Sequence, residues 1–149
     1  MYFGGEYVVK MDAKGRVVVP GPVREALQEA ADGKSLKLMR HYAEPCLMLT
    51  SAGVWQSMMD QVFSYSRLNQ SARRLQRIIS AAMDCSLDAS NRLLVSSPQR
   101  NYAQLDKEVI FLGMKNTFEI WDRKTYESWD QESKEQAFVD KDELPALVF

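Results

Sequence analysis

Residues Asp12–Arg24 read DAKGRVVVPGPVR, and residues Asp88–Arg100 read DASNRLLVSSPQR. In register they share Asp12/Asp88, Ala13/Ala89, Arg16/Arg92, Val19/Val95, Pro22/Pro98 and Arg24/Arg100, six identities in thirteen positions. Val17/Leu93 and Val18/Leu94 are apolar exchanges between them, so the chain carries an internal repeat. Elements recur around it in the same order. Each motif is followed by a short helical stretch (Val23–Ala31; Gln99–Leu105) and an apolar run (Ser35–Met39; Glu108–Leu112). A second apolar run (Cys46–Thr50; Thr117–Trp121) and an amphipathic helix beginning near Val54 or Lys124 complete each copy.

The first copy opens with strand-like Tyr7–Met11 and Arg16–Val19, and Asp-Ala-Lys-Gly between them reads as a hairpin loop. Asp12 is placed to accept hydrogen bonds from the loop amides, and Gly15 permits a positive φ. Asn91 stands where Gly15 stood, and asparagine is the next most tolerant residue of left-handed geometry. Pro20, Pro22 and Pro98 fit strand ends and helix starts. Each half, about 55 residues with four short strands, is too small to bury much apolar area alone. The two halves are therefore expected to pack about a pseudo-twofold axis. The predicted organisation is a first repeat over 5–51, a helical connection over 52–80, a second repeat over 81–124, and a C-terminal helix with an acidic tail over 125–149. The connection reads as two helices. Val54–Tyr65 carries a stripe of Val54, Trp55, Met58, Met59, Val62 and Phe63 spaced for burial, and Gln70–Met83 sets Leu75, Ile78, Ile79 and Ala82 apart from its arginines.

Composition bounds the function. The chain has 149 residues, 46% of them hydrophobic, with 19 Lys+Arg against 20 Asp+Glu, one His and two Cys. The longest apolar runs are a few residues, too short for a membrane helix. No basic segment followed by an apolar stretch opens the chain, so a cytoplasmic protein with reduced thiols is expected. The net charge of −1 averages over an uneven chain. No acid lies between Asp60 and Asp84, a stretch that holds Arg67, Arg73, Arg74 and Arg77, whereas eight acids and four bases lie from Asp122 onward. A basic surface is compatible with the neutral total. Arg73, Arg74 and Arg77 have two readings, phosphate contact or pairing with acids of the tail or a neighbouring subunit.

Catalytic signatures are missing. His41 is the single histidine, and no Ser-His-Asp order, HExxH, CxxC or phosphate-cradling glycine loop accompanies it. Cys46 and Cys85 read as small buried hydrophobes rather than nucleophiles. Asp84 and Asp88 lack a third ligand at metal spacing. No catalysis, metal or cofactor is expected.

The strings DAKGR (Asp12–Arg16), PCLMLTS (Pro45–Ser51), NQSARRLQR (Asn69–Arg77), DASNR (Asp88–Arg92) and FEIWD (Phe118–Asp122) together resemble the MraZ family of bacterial proteins, in family order and over nearly the whole chain. The resemblance implies a mainly β fold with flanking helices, a pseudo-twofold double-split (swapped-hairpin) β-barrel built from two tandem AbrB-like repeats. It further implies a transcriptional regulator that binds short direct repeats in double-stranded DNA upstream of the division and cell-wall gene cluster, its own gene included. A closed homo-oligomeric ring on the nucleoid is implied as well. The family's D-x-x-x-R signature falls on Asp12 and Arg16 and again on Asp88 and Arg92.

On that footing Arg16 and Arg92 are the expected base readers, because an arginine offers two donors to the O6 and N7 acceptors of guanine. Lys14 is expected on a phosphate. Asp12, Gly15, Asp88 and Asn91 support the turns. The competing reading of each Asp–Arg pair is a loop clasp without DNA contact. The second copy lacks the lysine, having Ser90, and is expected to contribute less; one hairpin per chain would be a weak reader, a defect that multivalency in a ring would remedy. The alternative function is an antitoxin-like or scaffolding interaction module that uses the acidic tail, whose last apolar residues are Leu144, Leu147, Val148 and Phe149.

Overall fold

Among the described residues, eight strands and five helices follow one another in two similar series. The first is β1 (Glu6–Lys10), β2 (Arg16–Val18), α1 (Gly21–Ala31), β3 (Leu36–Arg40), β4 (Leu47–Ser51), α2 (Ala52–Val62) and α3 (Gln70–Ser80). The second is β5 (Met83–Cys85), β6 (Arg92–Leu94), α4 (Ser97–Ala103), β7 (Glu108–Gly113), β8 (Phe118–Asp122) and α5 (Arg123–Gln136). This is a computed structural model of the chain, and it describes residues 2–136 and 142–144. Most of the expected acidic tail lies outside the described residues.

Strand pairing departs from the hairpin expectation in an informative way. The loop after β1 is tight, yet β1 and β2 meet only at the single Met11–Val17 bridge. β1 instead pairs antiparallel with β7 of the second half, β5 pairs with β3 of the first, and β2 pairs with β6. The six-stranded sheet runs β1-β7-β8-β4-β3-β5, and β2-β6 forms a separate ribbon. Exchanging the halves (β1 for β5, β3 for β7, β4 for β8) turns that order into its own reverse. The expected two-fold relation thus holds in the topology, with β4 and β8 at its centre. Among the described residues the pairings give a sheet and a ribbon rather than a closed ring of strands.

The apolar pattern explains the exchange. Every second residue of the sheet points to one side, where Leu36, Leu38, Leu47, Leu49, Val109, Phe111, Phe118 and Ile120 form one core with Val17 and Leu93 of the ribbon and Val23 and Leu27 of α1. A three-residue strand covers too little surface to stand alone. Val17 and Leu93, both fully buried, seal each other and the sheet together. The sheet's other side carries α2, α3 and α5. Met39 and Met48 pack with Ile79 of α3 and with Trp55, Met58, Met59 and Val62 of α2, while Ile110 and Trp121 pack with Tyr126 of α5. Covered on both sides, β4 and β8 are buried at every position, as central strands must be.

The connecting helices are shorter than expected. α2 ends at Val62 and α3 at Ser80, and Met83 opens β5 instead of closing a helix. The stripe predicted on α2 is only half-buried, and Phe63 is exposed. On α3 the buried positions are Ala72, Gln76 and Ile79, one of them polar.

Candidate nucleic-acid interface

Each D-x-x-x-R loop is organised by its own aspartate. In the first, Asp12 Oδ1 accepts from the amides of Lys14 and Arg16 at 2.9 Å each, and Oδ2 accepts from Arg16 Nε at 2.8 Å. Main-chain bonds Asp12 N→Arg16 O (2.9 Å) and Gly15 N→Asp12 O (3.0 Å) close the turn. The second loop repeats the pattern. Asp88 Oδ1 accepts from Ser90 N (2.8 Å) and Arg92 N (2.9 Å), and Oδ2 accepts from Arg92 Nε (2.9 Å). Both carboxyls are held below the ordinary carboxylate range, chiefly by the amide of the following arginine. Residue four of each loop sits in left-handed backbone, Gly15 at φ 85° and Asn91 at φ 60°. The asparagine meets the same geometric demand as the glycine.

The two loops face each other across the ribbon. Val95 N donates to Gly15 O and Val19 N to Asn91 O, so each loop is tied to the strand end of the other half. Arg16 stands opposite Leu94 and Val18 opposite Arg92. With Val17 and Leu93 turned into the core, the outward side of the ribbon carries Arg16, Val18, Arg92 and Leu94. Val18 and Leu94 are 55% and 59% exposed, unusual values for large aliphatic strand residues. The two arginine side chains are 33% and 32% exposed, so neither loop hides its arginine more than the other. Both signature arginines lie diagonally on a single ribbon within one chain, not on two separate hairpins. The sequence did not reveal this, because β2 and β6 are 76 positions apart at their arginines.

The clasp between aspartate and arginine leaves chemistry available. Nε is engaged by the carboxylate, and both Nη groups keep their donors, a fork of the kind that matches guanine O6/N7 or a phosphate. The carboxylate fixes the guanidinium plane. Exposed Val18 and Leu94 offer apolar surface suited to a thymine methyl group. Lys14 belongs to the first loop alone.

One residue of the repeat, Arg100, has a role here that its match to Arg24 did not announce. Arg100 Nη1 donates to Val95 O (2.5 Å) and Lys14 O (3.3 Å), bracing the first loop from α4. It lies against Gly15, where a Cβ would overlap its guanidinium. Its counterpart Arg24 makes no side-chain hydrogen bond among the described residues.

Elsewhere the fold assembles a trio that spacing did not suggest. His41, Cys46 and Glu119 are buried with ligand atoms within 4.8 Å of one another. His41 Nδ1 accepts from Ala43 N and Glu44 N at 3.0 Å each, which puts the imidazole proton on Nε2. Nε2 faces Glu119 Oε2 at 3.6 Å, and Glu119 Oε1 accepts from Trp121 Nε1 at 3.0 Å. The nitrogen that faces the trio is a donor, so the group reads as a polar clasp inside the sheet rather than a ligand set. Burial, first of all, pushes the Cys46 thiol up, and it pushes that of Cys85 up to about 12; neither is a nucleophile. Asp84 and Asp88 are each committed, Asp84 to Lys37 and Ser35, Asp88 to its own loop. No helix among the described residues is long and apolar enough to cross a membrane.

These features define a class: a mainly antiparallel protein of two repeats that exchange strands and present a basic, partly apolar two-stranded ribbon. Comparison with known proteins narrows it. The family model described as "MraZ protein, putative antitoxin-like" matches residues 2–78 and again 78–148. Relatives named "Transcriptional regulator MraZ" include that of Tolumonas auensis, 40% identical over 118 residues, spanning 78% of this chain and 77% of that protein. Those of Alkalilimnicola ehrlichii and Proteus mirabilis are 39% and 36% identical over 121 and 123 residues, with 80% or more of each chain covered. The chain belongs to the MraZ family.

Proposed function

We propose that this chain is a transcriptional regulator that binds double-stranded DNA through the β2–β6 ribbon. The observation that carries the reading is the pair of clasped arginines, Arg16 and Arg92, set diagonally on one exposed ribbon. A two-stranded ribbon fits the major groove, and a fixed guanidinium reads a base at lower entropic cost than a free one. Lys14 supplies a phosphate contact beside the first reader. The relatives' printed name, transcriptional regulator, agrees with this role. The target is short direct repeats upstream of the division and cell-wall gene cluster, its own gene included.

Repeats spaced along a duplex call for several ribbons at once. A homo-oligomer, closed into a ring, raises the effective concentration of the second ribbon after the first has docked. In this reading residues 5–51 and 81–124 are the repeats, 52–80 their connection and 125–149 the C-terminal helix and tail. The exchanged strands are the swapped hairpins of a double-split barrel, and the protein works in the cytoplasm on the nucleoid, without catalysis.

The deciding experiment is fluorescence anisotropy of the purified protein on DNA from upstream of its own gene and on scrambled DNA, at two salt concentrations, with Arg16→Ala in parallel. Specific, salt-sensitive binding that disappears in the variant is the expected result. Equal binding to both DNAs by an intact oligomer would sink the proposal.

A further inference from the structure

Arg24 and Arg100 hold the same place in the two repeats, yet only Arg100 is engaged inside the protein. Arg24 N donates to Pro20 O at 2.8 Å and Arg100 N to Ser96 O at 2.9 Å, so each sits in the first turn of the helix after its ribbon strand. Arg100 commits its guanidinium to Val95 O and Lys14 O. Arg24 forms no ion pair and no side-chain hydrogen bond among the described residues. We infer that Arg24 is a phosphate contact of the second loop, giving it the positive charge that Lys14 gives the first. The inference rests on the proposed binding of DNA by the ribbon.

The fourth residue of each loop decides which way its arginine turns. Gly15 has no Cβ, and the Arg100 guanidinium occupies the space that a Cβ would take. Asn91 carries a side chain at the matching atom, in the same left-handed backbone. The ties to the other half also match, Val95 N donating to Gly15 O at 2.9 Å and Val19 N to Asn91 O at 3.0 Å. With the backbone alike and the space filled, Arg24 is barred from the brace that Arg100 makes. Its Nη2 lies instead over the start of α1, 3.8 Å from where a Cβ of Gly21 would stand. No acid of its own helix claims it, because the residues one turn away are Pro20, Gly21, Leu27 and Gln28.

Reach and charge assign its use. From the matching position Arg100 comes within 3.3 Å of the Lys14 carbonyl, so Arg24 has the length to reach Ser90. Ser90 is the neutral residue that stands where the first loop has Lys14. The first loop thus has a lysine beside its clasped Arg16 and an arginine turned inward. The second has no lysine, and its arginine is left free. Antiparallel pairing of β2 with β6 puts the two loops at opposite ends of the ribbon. A groove is bordered by a phosphate strand on each side, so a cation at each end meets one. A guanidinium is well matched to phosphate oxygens, which its fork engages in pairs.

The test is the salt dependence of binding to DNA from upstream of its own gene and to scrambled DNA, read by fluorescence anisotropy with the full chain. Arg24→Gln is expected to lower the slope of log affinity against log salt as much as Lys14→Ala does, about one for each docked chain, on both DNAs. Arg24→Lys keeps the charge and should keep the slope. Lys134→Gln, which removes the same charge on α5 across the sheet from the ribbon, should leave the slope unchanged. Asn91→Gly opens the space beside the second loop, so Arg24 turns inward and the slope falls; adding Arg24→Gln then produces no further fall. A wild-type slope in Arg24→Gln or in Asn91→Gly, or an equal fall in Lys134→Gln, would overturn the inference while upstream binding lost in Arg16→Ala still upheld the regulator reading. Equal binding of both DNAs by the wild type would sink that reading, and this inference with it.

Discussion

The loop at Asp12–Arg16 and the loop at Asp88–Arg92 reach one geometry from different residues. Their aspartate contacts agree within 0.1 Å, three for three. What differs is how the fourth position is handled. Gly15 leaves open space that Arg100 of the other half fills, so the first loop is braced from outside. Asn91 takes the left-handed conformation itself, and no arginine braces it. A carboxylate accepting three hydrogen bonds is therefore enough to hold the arginine, and the surroundings of the loop are free to diverge. Lys14 against Ser90 is the divergence that bears on the proposed DNA contact.

The most direct way to break this equivalence is at the arginines. Arg16→Ala is expected to weaken binding to upstream DNA by about 1–3 kcal/mol, roughly five- to 150-fold, with sedimentation of the oligomer unchanged. If the loops are equal readers, Arg92→Ala loses a similar amount. Affinity within twofold of wild type for Arg92→Ala would make the second loop a structural partner only.

The backbone distinction comes next in size. Gly15→Ala places a Cβ in the Arg100 guanidinium and 2.8 Å from Val95 O at a φ of +85°. A loss of roughly 1–3 kcal/mol in thermal or denaturant unfolding is expected. Asn91→Gly keeps the conformation and should change stability by less than about 1 kcal/mol. Similar losses at both positions would show that the Arg100 brace is immaterial.

Acid probes what the loops share. Asp12 and Asp88 are both held below their ordinary value, so their stabilising contribution is complete above the unfolded carboxylate pKa of about 3.9. It is lost as pH falls through the lowered folded values. The amide resonances of Lys14 and Ser90 should hold from pH 7 to 5 and shift together below about pH 4. One loop releasing its amides above pH 5 would separate the pair.

The smallest expected effect sharpens the charge difference. Lys14→Ala should reduce the slope of log affinity against log salt by about one, and Ser90→Lys should raise it by about one. No change in the first variant would remove Lys14 from the phosphate contacts.

Much of the fold was legible because repeat and period agree. DAKGR and DASNR announced two equivalent turns, alternating apolar residues announced the strands, and the two-fold relation followed from size alone. The turn-supporting roles of Asp12, Gly15, Asp88 and Asn91 were also visible, since only a few residue types close a loop with a left-handed position. Pairing was not. A tight loop after Tyr7–Met11 implied a hairpin, but β1 finds β7 and β2 finds β6, and nothing local distinguishes one antiparallel partner from another. α2 was over-read as buried because spacing reports which residues share a face, and the half-buried state depends on what covers that face.

The sequence by itself determined the local devices: two carboxylate-clasped loops, their arginines, and the strands and helices that follow, all governed by contacts within a few residues. Only the tertiary structure decided that both arginines share one ribbon, that Arg100 stands over Gly15, and that His41 and Glu119 meet inside the sheet. Each of these joins residues distant along the chain, and what brings them together is the burial of Val17, Leu93 and the inward sheet residues in a common core, a driving force that acts on area and is indifferent to sequence separation.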